Sequence, residues 1–172
     1  MELILPDARY EASYRQAIEE YARQGLEVSH FFGGSEACPQ GLFARFAEYR
    51  AGQNLPQGYV SATHLWLVEG GEFLAEANIR HRLTPALERF AGNIGYAVRA
   101  GRWGRGLGTR LLAGALQYAK APLGLTRVLI TCSDENIGSA RVIEKNGGVW
   151  WDTIENVIDG KPRATRRYWV KL

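Results

Sequence analysis

Cysteine, methionine and long apolar runs are all scarce in this chain. Its 172 residues include two cysteines, Cys38 and Cys132, and one methionine. The cysteines lie far apart and outside any C-x-x-C spacing, which excludes a disulfide framework and gives no zinc-ligand pattern. No metal is expected, and a reducing cytoplasm is the expected compartment. No stretch approaches the roughly 18 apolar residues that a membrane span requires. The opening residues, Met1 to Asp7, lack the basic and then apolar pattern of a secretory signal, so neither secretion nor a membrane partner is expected. Charge of one sign is lacking too: 21 basic against 18 acidic residues leave a net charge of +3. That excess is too small to point to nucleic acid, although it fits mild attraction for an anionic ligand. There is no linker, charge block or internal repeat, so a single domain over residues 1–172 is expected.

What is present is an ordinary globular composition, 46% apolar with 20 glycines. A chain of this length buries about two-thirds of the surface its unfolded form exposes. From Asp7 to Gln24, Tyr10, Tyr14, Ala17, Ile18 and Tyr21 recur at helical spacing, with Asp7 as cap and Gly25 as stop. A turn-rich stretch from His30 to Pro39 follows, its Gly33-Gly34 pair read as a mobile connection. Leu42, Phe43, Phe46 and Tyr49 then mark a second helix ending near Gly52. Ser61 to Glu69 and Phe73 to Arg80 read as a hairpin turned by Gly70-Gly71, with Phe73, Ala75, Ala77 and Ile79 on one face and Leu74, Glu76, Asn78 and Arg80 on the other. A short helix from Pro85 to Phe90 and a strand from Asn93 to Arg99 complete a meander. Beyond Gly108, Leu111, Leu112, Ala115, Leu116 and Ala119 share a helical face, and Val128 to Ser133 reads as a buried strand. Such a helical crossover makes the two flanking strands parallel. Asn136 to Asn146 reads as a capped helix, and the tail as strands from Val149 to Ile158 and Thr165 to Val170 joined through Asp159-Gly160-Lys161-Pro162. The five tryptophans, including Trp150, Trp151 and Trp169, are read as core or sheet-packing residues. Arg163, Arg166 and Arg167 are read as a solvated strand face, and Cys132 as a buried, inert thiol.

The most informative stretch joins the strand ending at Arg99 to the helix that follows, with glycines at 101, 104, 106 and 108. Glycine admits positive φ and close backbone approach, so successive N–H groups converge and the helix start adds its positive dipole end. That arrangement suits a phosphate or pyrophosphate. A nucleotide triphosphate loop requires Gly-Lys-Ser/Thr, whereas this helix opens Gly108-Thr109-Arg110. A dinucleotide fingerprint requires G-x-G-x-x-G, and the third glycine position falls on Thr109 or Leu111.

Trp103-Gly104-Arg105-Gly106-Leu107-Gly108 before a helix, together with Asn136-Ile-Gly-Ser139 running to Lys145-Asn-Gly147, resembles the two core motifs of the GNAT-superfamily N-acetyltransferases. The first resembles the Arg/Gln-x-x-Gly-x-Gly/Ala loop, with Trp103 in place of the leading Arg/Gln, as in a branch that includes ribosomal-protein N-acetyltransferases. The order of the motifs from Asn93 to Gly148 agrees with the family's strand, loop, helix, strand and helix. The chain is also similar to a group of uncharacterised bacterial members through Asn78 to Arg82 and Arg167 to Val170. The resemblance implies an α+β fold: a mixed, mostly antiparallel central sheet, a central parallel strand pair splayed to admit the coenzyme, and helices on both faces.

The resemblance further implies acetyl-CoA as co-substrate. The backbone amides of Trp103, Gly104, Arg105, Gly106, Leu107, Gly108 and Thr109 would hold its pyrophosphate, Arg102 and Arg105 would add charge at the rim, and the backbone of Tyr96, Ala97 and Val98 would pair with the pantetheine arm. Asn136 and Ser139 would contact the arm or cap their helix. The acceptor is expected to be a primary amine on a small molecule or peptide, attacking directly in a ternary complex. A lysine-like amine with pKa about 10.4 must first lose a proton, and Glu76 and His81 are the candidate bases. An N–H near Ala97 is expected to face the developing oxyanion. Many relatives use a tyrosine to protonate the thiolate where this chain has Ile143. Tyr168, Ser139 or a water on Asn136 are the alternatives, and the missing tyrosine also motivates a non-catalytic acyl-CoA-binding module as the competing reading. Nothing in residues 1–53 names an acceptor. The Gly33-Gly34 segment and the terminal hairpin are the expected walls of its pocket, and a homodimer through the terminal strands is a possibility that relatives suggest.

Overall fold

The computed structural model describes residues 1–35, 41–158 and 160–172. Cys38 and Asp159, both used in reading the sequence, lie outside the described residues, as does the stretch from Glu36 to Gln40. Among the described residues seven strands form one sheet: β1 (Glu2–Ile4), β2 (Ala62–Glu69), β3 (Glu72–Arg80), β4 (Ile94–Val98), β5 (Arg127–Ser133), β6 (Val149–Ile158) and β7 (Lys161–Lys171), in the order β1-β2-β3-β4-β5-β7-β6. The β4–β5 pair is parallel and the others antiparallel. The described residues also form six α-helices: α1 (Glu11–Arg23), α2 (Phe32–Ser35), α3 (Leu42–Ala51), α4 (Pro85–Phe90), α5 (Leu107–Lys120) and α6 (Ile137–Lys145). The expected mixed sheet with helices on both faces is what the chain forms.

Two apolar layers sandwich the sheet. Leu111, Leu112, Ala115 and Ala119 of α5, with Ala140 and Ile143 of α6, pack on Leu65, Ala77, Ile79, Ile94 and Ile130. On the other face Tyr14, Ala17 and Tyr21 of α1, Phe32 of α2 and Phe46 and Tyr49 of α3 cover Trp66, Phe73 and Ala97. The Tyr14 ring stacks on Trp66 at 4.4 Å between centroids. Because both faces are covered, Glu76 of the polar row is buried instead of facing solvent, and Asn78 and Arg80 are half-buried.

Local details correct the sequence reading. Asp7 caps a short 3₁₀ turn, Ala8–Tyr10, by accepting from the Arg9 N–H at 2.9 Å, and the α-helix starts only at Glu11. The proposed common face of Phe73, Ala75, Ala77 and Ile79 is broken by a bulge. Leu67 pairs with Ala75 and Val68 with Phe73, leaving Leu74 as the extra residue. An inserted residue reverses the side-chain alternation, so Phe73 joins the α1 layer while Leu74 and Ala75 both enter the α5 layer. The glycines 33 and 34 are packing residues within α2: a Cβ on Gly34 would stand 2.2 Å from the Val28 carbonyl oxygen, and one on Gly33 would stand 2.9 Å from the Tyr14 ring. β7 begins at Lys161, before the expected Thr165, and its first residues pair with β6 alone. Pro162 is tolerated there because that part of the strand lacks a second neighbour. The tryptophans divide: Trp66 is fully buried, whereas Trp103, Trp150 and Trp151 are 48–59% exposed. Arg167 lies over the Trp151 ring at 4.0 Å and pairs with Asp152, so it is not a freely solvated side chain. No helix among the described residues is long and apolar enough to cross a membrane.

Candidate active site

The parallel strands touch at one pair, Ile94 with Ile130, after which β4 continues to Val98 and β5 to Ser133 with no further pairing between them. Asn93 holds the junction: its side-chain Oδ1 accepts from the Leu129 N–H at 2.9 Å and its backbone N–H donates to the Leu129 carbonyl at 2.6 Å. Above this junction the sheet is split. The Arg80 N–H donates to the Asn93 carbonyl, so the bonded pairs of the β3–β4 ladder alternate through Asn78–Gly95 and Glu76–Ala97. The Ala97 N–H is therefore committed to β3, and the backbone groups of Tyr96 and Val98 turn toward the split. The Val98 carbonyl already accepts from the Tyr21 hydroxyl at 2.6 Å and the Trp103 indole N–H at 2.7 Å.

At the far end of β4 the glycine loop delivers a helix start. Gly104 and Gly106 both have φ near +75°, and Gly106 caps α5 with no side-chain hydrogen bond. The N–H groups of residues 104–109 donate to no described residue. Gly108 serves a different purpose: a Cβ there would meet Val142 at 3.4 Å, Val98 at 3.6 Å and Tyr96 at 3.8 Å, so its absence lets α5 approach β4 and α6. Six consecutive unpartnered donors beside the positive end of a fourteen-residue helix make a cradle suited to a diphosphate. Of the rim cations, Arg105 is exposed, whereas Arg102 is held by Glu72 at 2.6 Å within a network in which Arg99 joins Glu72 and Glu20.

On the α1 side a cavity of about 390 Å³ opens over β2, β3 and β4, with Glu76, Asn78, Arg80, His64, Gly95 and Tyr96 among its lining. The opposite wall is Ser29, His30, Phe32, Tyr49 and Tyr59, with Thr84, Ala86 and Leu87 closing one side. No described residue of the terminal hairpin lines it, and α2 contributes Phe32 in place of the glycine pair, which corrects the expected walls. Glu76 is 2% exposed, and its Oε1 lies 2.7 Å from the Nδ1 of His64, which is equally buried. Glu76 Oε2, His64 Nε2 and Asn78 Oδ1 have no hydrogen-bond partner among the described residues. Buried polar atoms are ordinarily satisfied, so these three mark a place prepared for something else.

Other predicted residues lie elsewhere. His81 follows the bulged strand's opposite parity: its Nε2 is 2.9 Å from Thr63 Oγ1, it does not line the cavity, and burial lowers its pKa. Tyr168 is buried in the α5–α6 layer with its hydroxyl 3.3 Å from Glu144 Oε1, and burial raises its pKa. Asn136 caps α6, its Oδ1 accepting from the Ser139 N–H at 2.9 Å. Ser139 Oγ in turn lies 2.8 Å from the Tyr96 hydroxyl, and burial pushes the Tyr96 pKa up to about 12. A tyrosine hydroxyl thus reaches the first turn of α6 from β4, although Ile143 leaves none on the helix itself. Cys132 is buried, with its thiol pKa raised by burial. Sequence reasoning missed His64 and the Tyr96 hydroxyl. Both are single residues in strands, and their roles come from the neighbours that pairing and helix docking bring.

Comparisons with known proteins bear on the family and the fold. Residues 12–149 match the acetyltransferase (GNAT) domain family. Among solved structures, RimL, a ribosomal L7/L12 alpha-N-protein acetyltransferase in complex with coenzyme A, superposes with a TM-score of 0.72 at 14% identity, covering 99% of this chain and 93% of that one. The ribosomal-protein-S5-alanine acetyltransferase from Vibrio fischeri gives 0.68 at 14% identity, covering 98% and 91%. The putative acetyltransferase yncA from Salmonella typhimurium with acetyl-CoA gives 0.65 at 16% identity, covering 99% and 92%. A search of curated proteins finds no match. At these identities the structures speak for the fold, and the family match over residues 12–149 speaks for kinship: the chain belongs to the GNAT acetyltransferases.

Proposed function

We propose that the protein transfers acetyl from acetyl-CoA to a primary amine by direct attack in a ternary complex. The observation that carries this reading is the juxtaposition of two sites across one strand. The free amides of residues 104–109 and the β4–β5 split lie beside β4, and the cavity containing Glu76 lies over the same strand, where Glu76 pairs with Ala97. The coenzyme's diphosphate fits the amide cradle, and its extended arm fits the split as an added strand alongside Tyr96 and Val98.

In this reading the cavity holds the amine. The Glu76–His64 pair takes up the proton that an ammonium must lose, with Oε2 of Glu76 as the unpartnered oxygen available to it and His64 fixing the other oxygen. The N–H of Val98, facing the split, is placed to donate to the carbonyl oxygen as it gains charge. Tyr96 remains protonated at neutral pH because its pKa stands at about 12. A thiol has pKa about 8.5, so full proton transfer from Tyr96 to the departing sulfur would be uphill. The hydroxyl instead donates a hydrogen bond to the thiolate, with Ser139 orienting it.

The test is acceptor-dependent release of free thiol from acetyl-CoA across a panel of amines. Multiple turnovers with at least one amine support the reading. Tight coenzyme binding with no turnover on any amine would favour the acyl-CoA-binding alternative.

A further inference from the structure

Resting on that reading of the cavity, we propose that the acceptor is a small amino acid whose carboxylate is anchored by Arg80 while its amine lies at Glu76. Arg45, Arg99, Arg102 and Arg167 each have a carboxylate oxygen within 2.5–2.8 Å. Arg80 has none among the described residues. Its Nη1 donates to the carbonyl oxygens of Ala91 at 3.2 Å and Gly92 at 3.4 Å, and its Nε and Nη2 donate to no described residue. Burial holds its pKa below the usual arginine value. Arg80 is half-buried, and a guanidinium partly withdrawn from water gains from an anion and further hydrogen bonds. The edge left free, Nε with Nη2, is the edge that receives a carboxylate with two parallel bonds.

The placement of Arg80 relative to Glu76 sets the size of the ligand. Glu76, Asn78 and Arg80 follow one another on the same face of β3 and all line the cavity. Arg80 leans across β4 toward Gly95, the partner of Asn78: its Nη1 and Nη2 lie 3.7 and 3.9 Å from where a Gly95 Cβ would stand. Its head group is therefore drawn back to the level of Asn78, about two residues, or roughly 7 Å of strand, from Glu76. That interval admits an amine and a carboxylate a few bonds apart, each hydrogen-bonded to its own end of the row. Unpartnered Asn78 Oδ1 between them supplies a further acceptor for the amine. A long polyamine would meet a cation at the Arg80 end.

Matched acceptors test the proposal: a series of small amino acids such as glycine, alanine and β-alanine, their carboxamides, and the amines that lack the carboxylate. In thiol-release assays the free acids should exceed their amides and decarboxylated partners at least ten-fold in kcat/KM. Arg80→Gln should bring that ratio close to one, and Arg80→Lys should restore part of it. Thermal melts and coenzyme A titration check that each variant folds. An amide or plain amine that matches its acid in the wild type, or an Arg80→Gln effect equal on all three classes, overturns the proposal. Binding is read separately, by shifts in melting temperature when the same amino acids are added to the protein with coenzyme A. Acids that bind to the wild type, and not to Arg80→Gln, without releasing thiol would uphold the anchor while removing the acetyl-transfer reading. Absence of any acid binding and of any acid turnover would overturn the anchor itself.

Discussion

Nδ1 of His64 and Oε1 of Glu76 are 2.7 Å apart, on adjacent strands, with both side chains almost wholly withdrawn from solvent. The β2–β3 register sets this diagonal contact: Glu76 is opposite Trp66 and His64 opposite Asn78. Replacing Glu76 by Gln preserves shape and removes the proposed proton acceptor. The expected result is a loss of about 10²-fold or more in kcat/KM, with coenzyme A affinity unchanged by calorimetry. The deficit should shrink for acceptors of low amine pKa, because a larger fraction of them arrives already deprotonated. A deficit that is the same for all amines would assign Glu76 a merely structural role.

Gly106 at φ +75° caps α5 and has no atom within 4 Å of a would-be Cβ, so its requirement is conformational. An alanine forced into the left-handed region costs about 1 kcal/mol, or a few degrees in Tm for a chain of this size. Relaxation of the loop toward negative φ would also turn the amides away from a common point. Gly106→Ala is expected to weaken coenzyme A binding at least ten-fold in a calorimetric titration. Unchanged affinity would mean that the cradle does not hold the diphosphate.

Tyr96 donates or accepts at Ser139 Oγ and stays protonated across the physiological range. In the proposed reaction Tyr96→Phe removes one hydrogen bond to the developing thiolate, an interaction worth about 1.5–3 kcal/mol when charged. Steady-state kinetics should show kcat lowered at least ten-fold with the acceptor KM little changed. An effect confined to KM would place Tyr96 in acceptor binding instead.

Acid stability depends on the Glu20–Arg99 pair, which ties α1 to the end of β4 at 2.6 Å. The Arg99 guanidinium holds the Glu20 carboxyl below its usual range. A depressed folded-state pKa stabilises the protein above the unfolded value of about 4.3, and that contribution fades as pH falls through the folded value. Between about pH 5 and pH 3 the Tm of the wild type should fall more steeply than that of Glu20→Gln. Parallel curves would show that the pair contributes nothing to acid sensitivity.

The glycine loop was legible because its demands are local. Positive φ at Gly104 and Gly106 and the helix that starts directly afterward depend on a few consecutive residues, and the two motifs carry the family resemblance with them. The β2–β3 hairpin, α3 with its Gly52 stop, and the capped α6 were legible for the same reason. Glu76 was identifiable as an acid on a polar strand face, but its partner was not. His64 stands twelve residues away on another strand, and a bulge at Leu74 lies in the intervening hairpin. His81 has the same chemistry on paper, and strand parity sends it to the opposite face, beside Thr63.

Periodicity, turn chemistry and glycine placement, which act over a few residues, were therefore determined by the sequence alone: the elements, the order in which they follow, and the amide cradle. Only the tertiary structure decided which polar groups meet. Strand register, helical cover over the row from Glu76 to Arg80, and the presence or absence of a neighbouring carboxylate arise between segments distant in the chain, where local spacing carries no information.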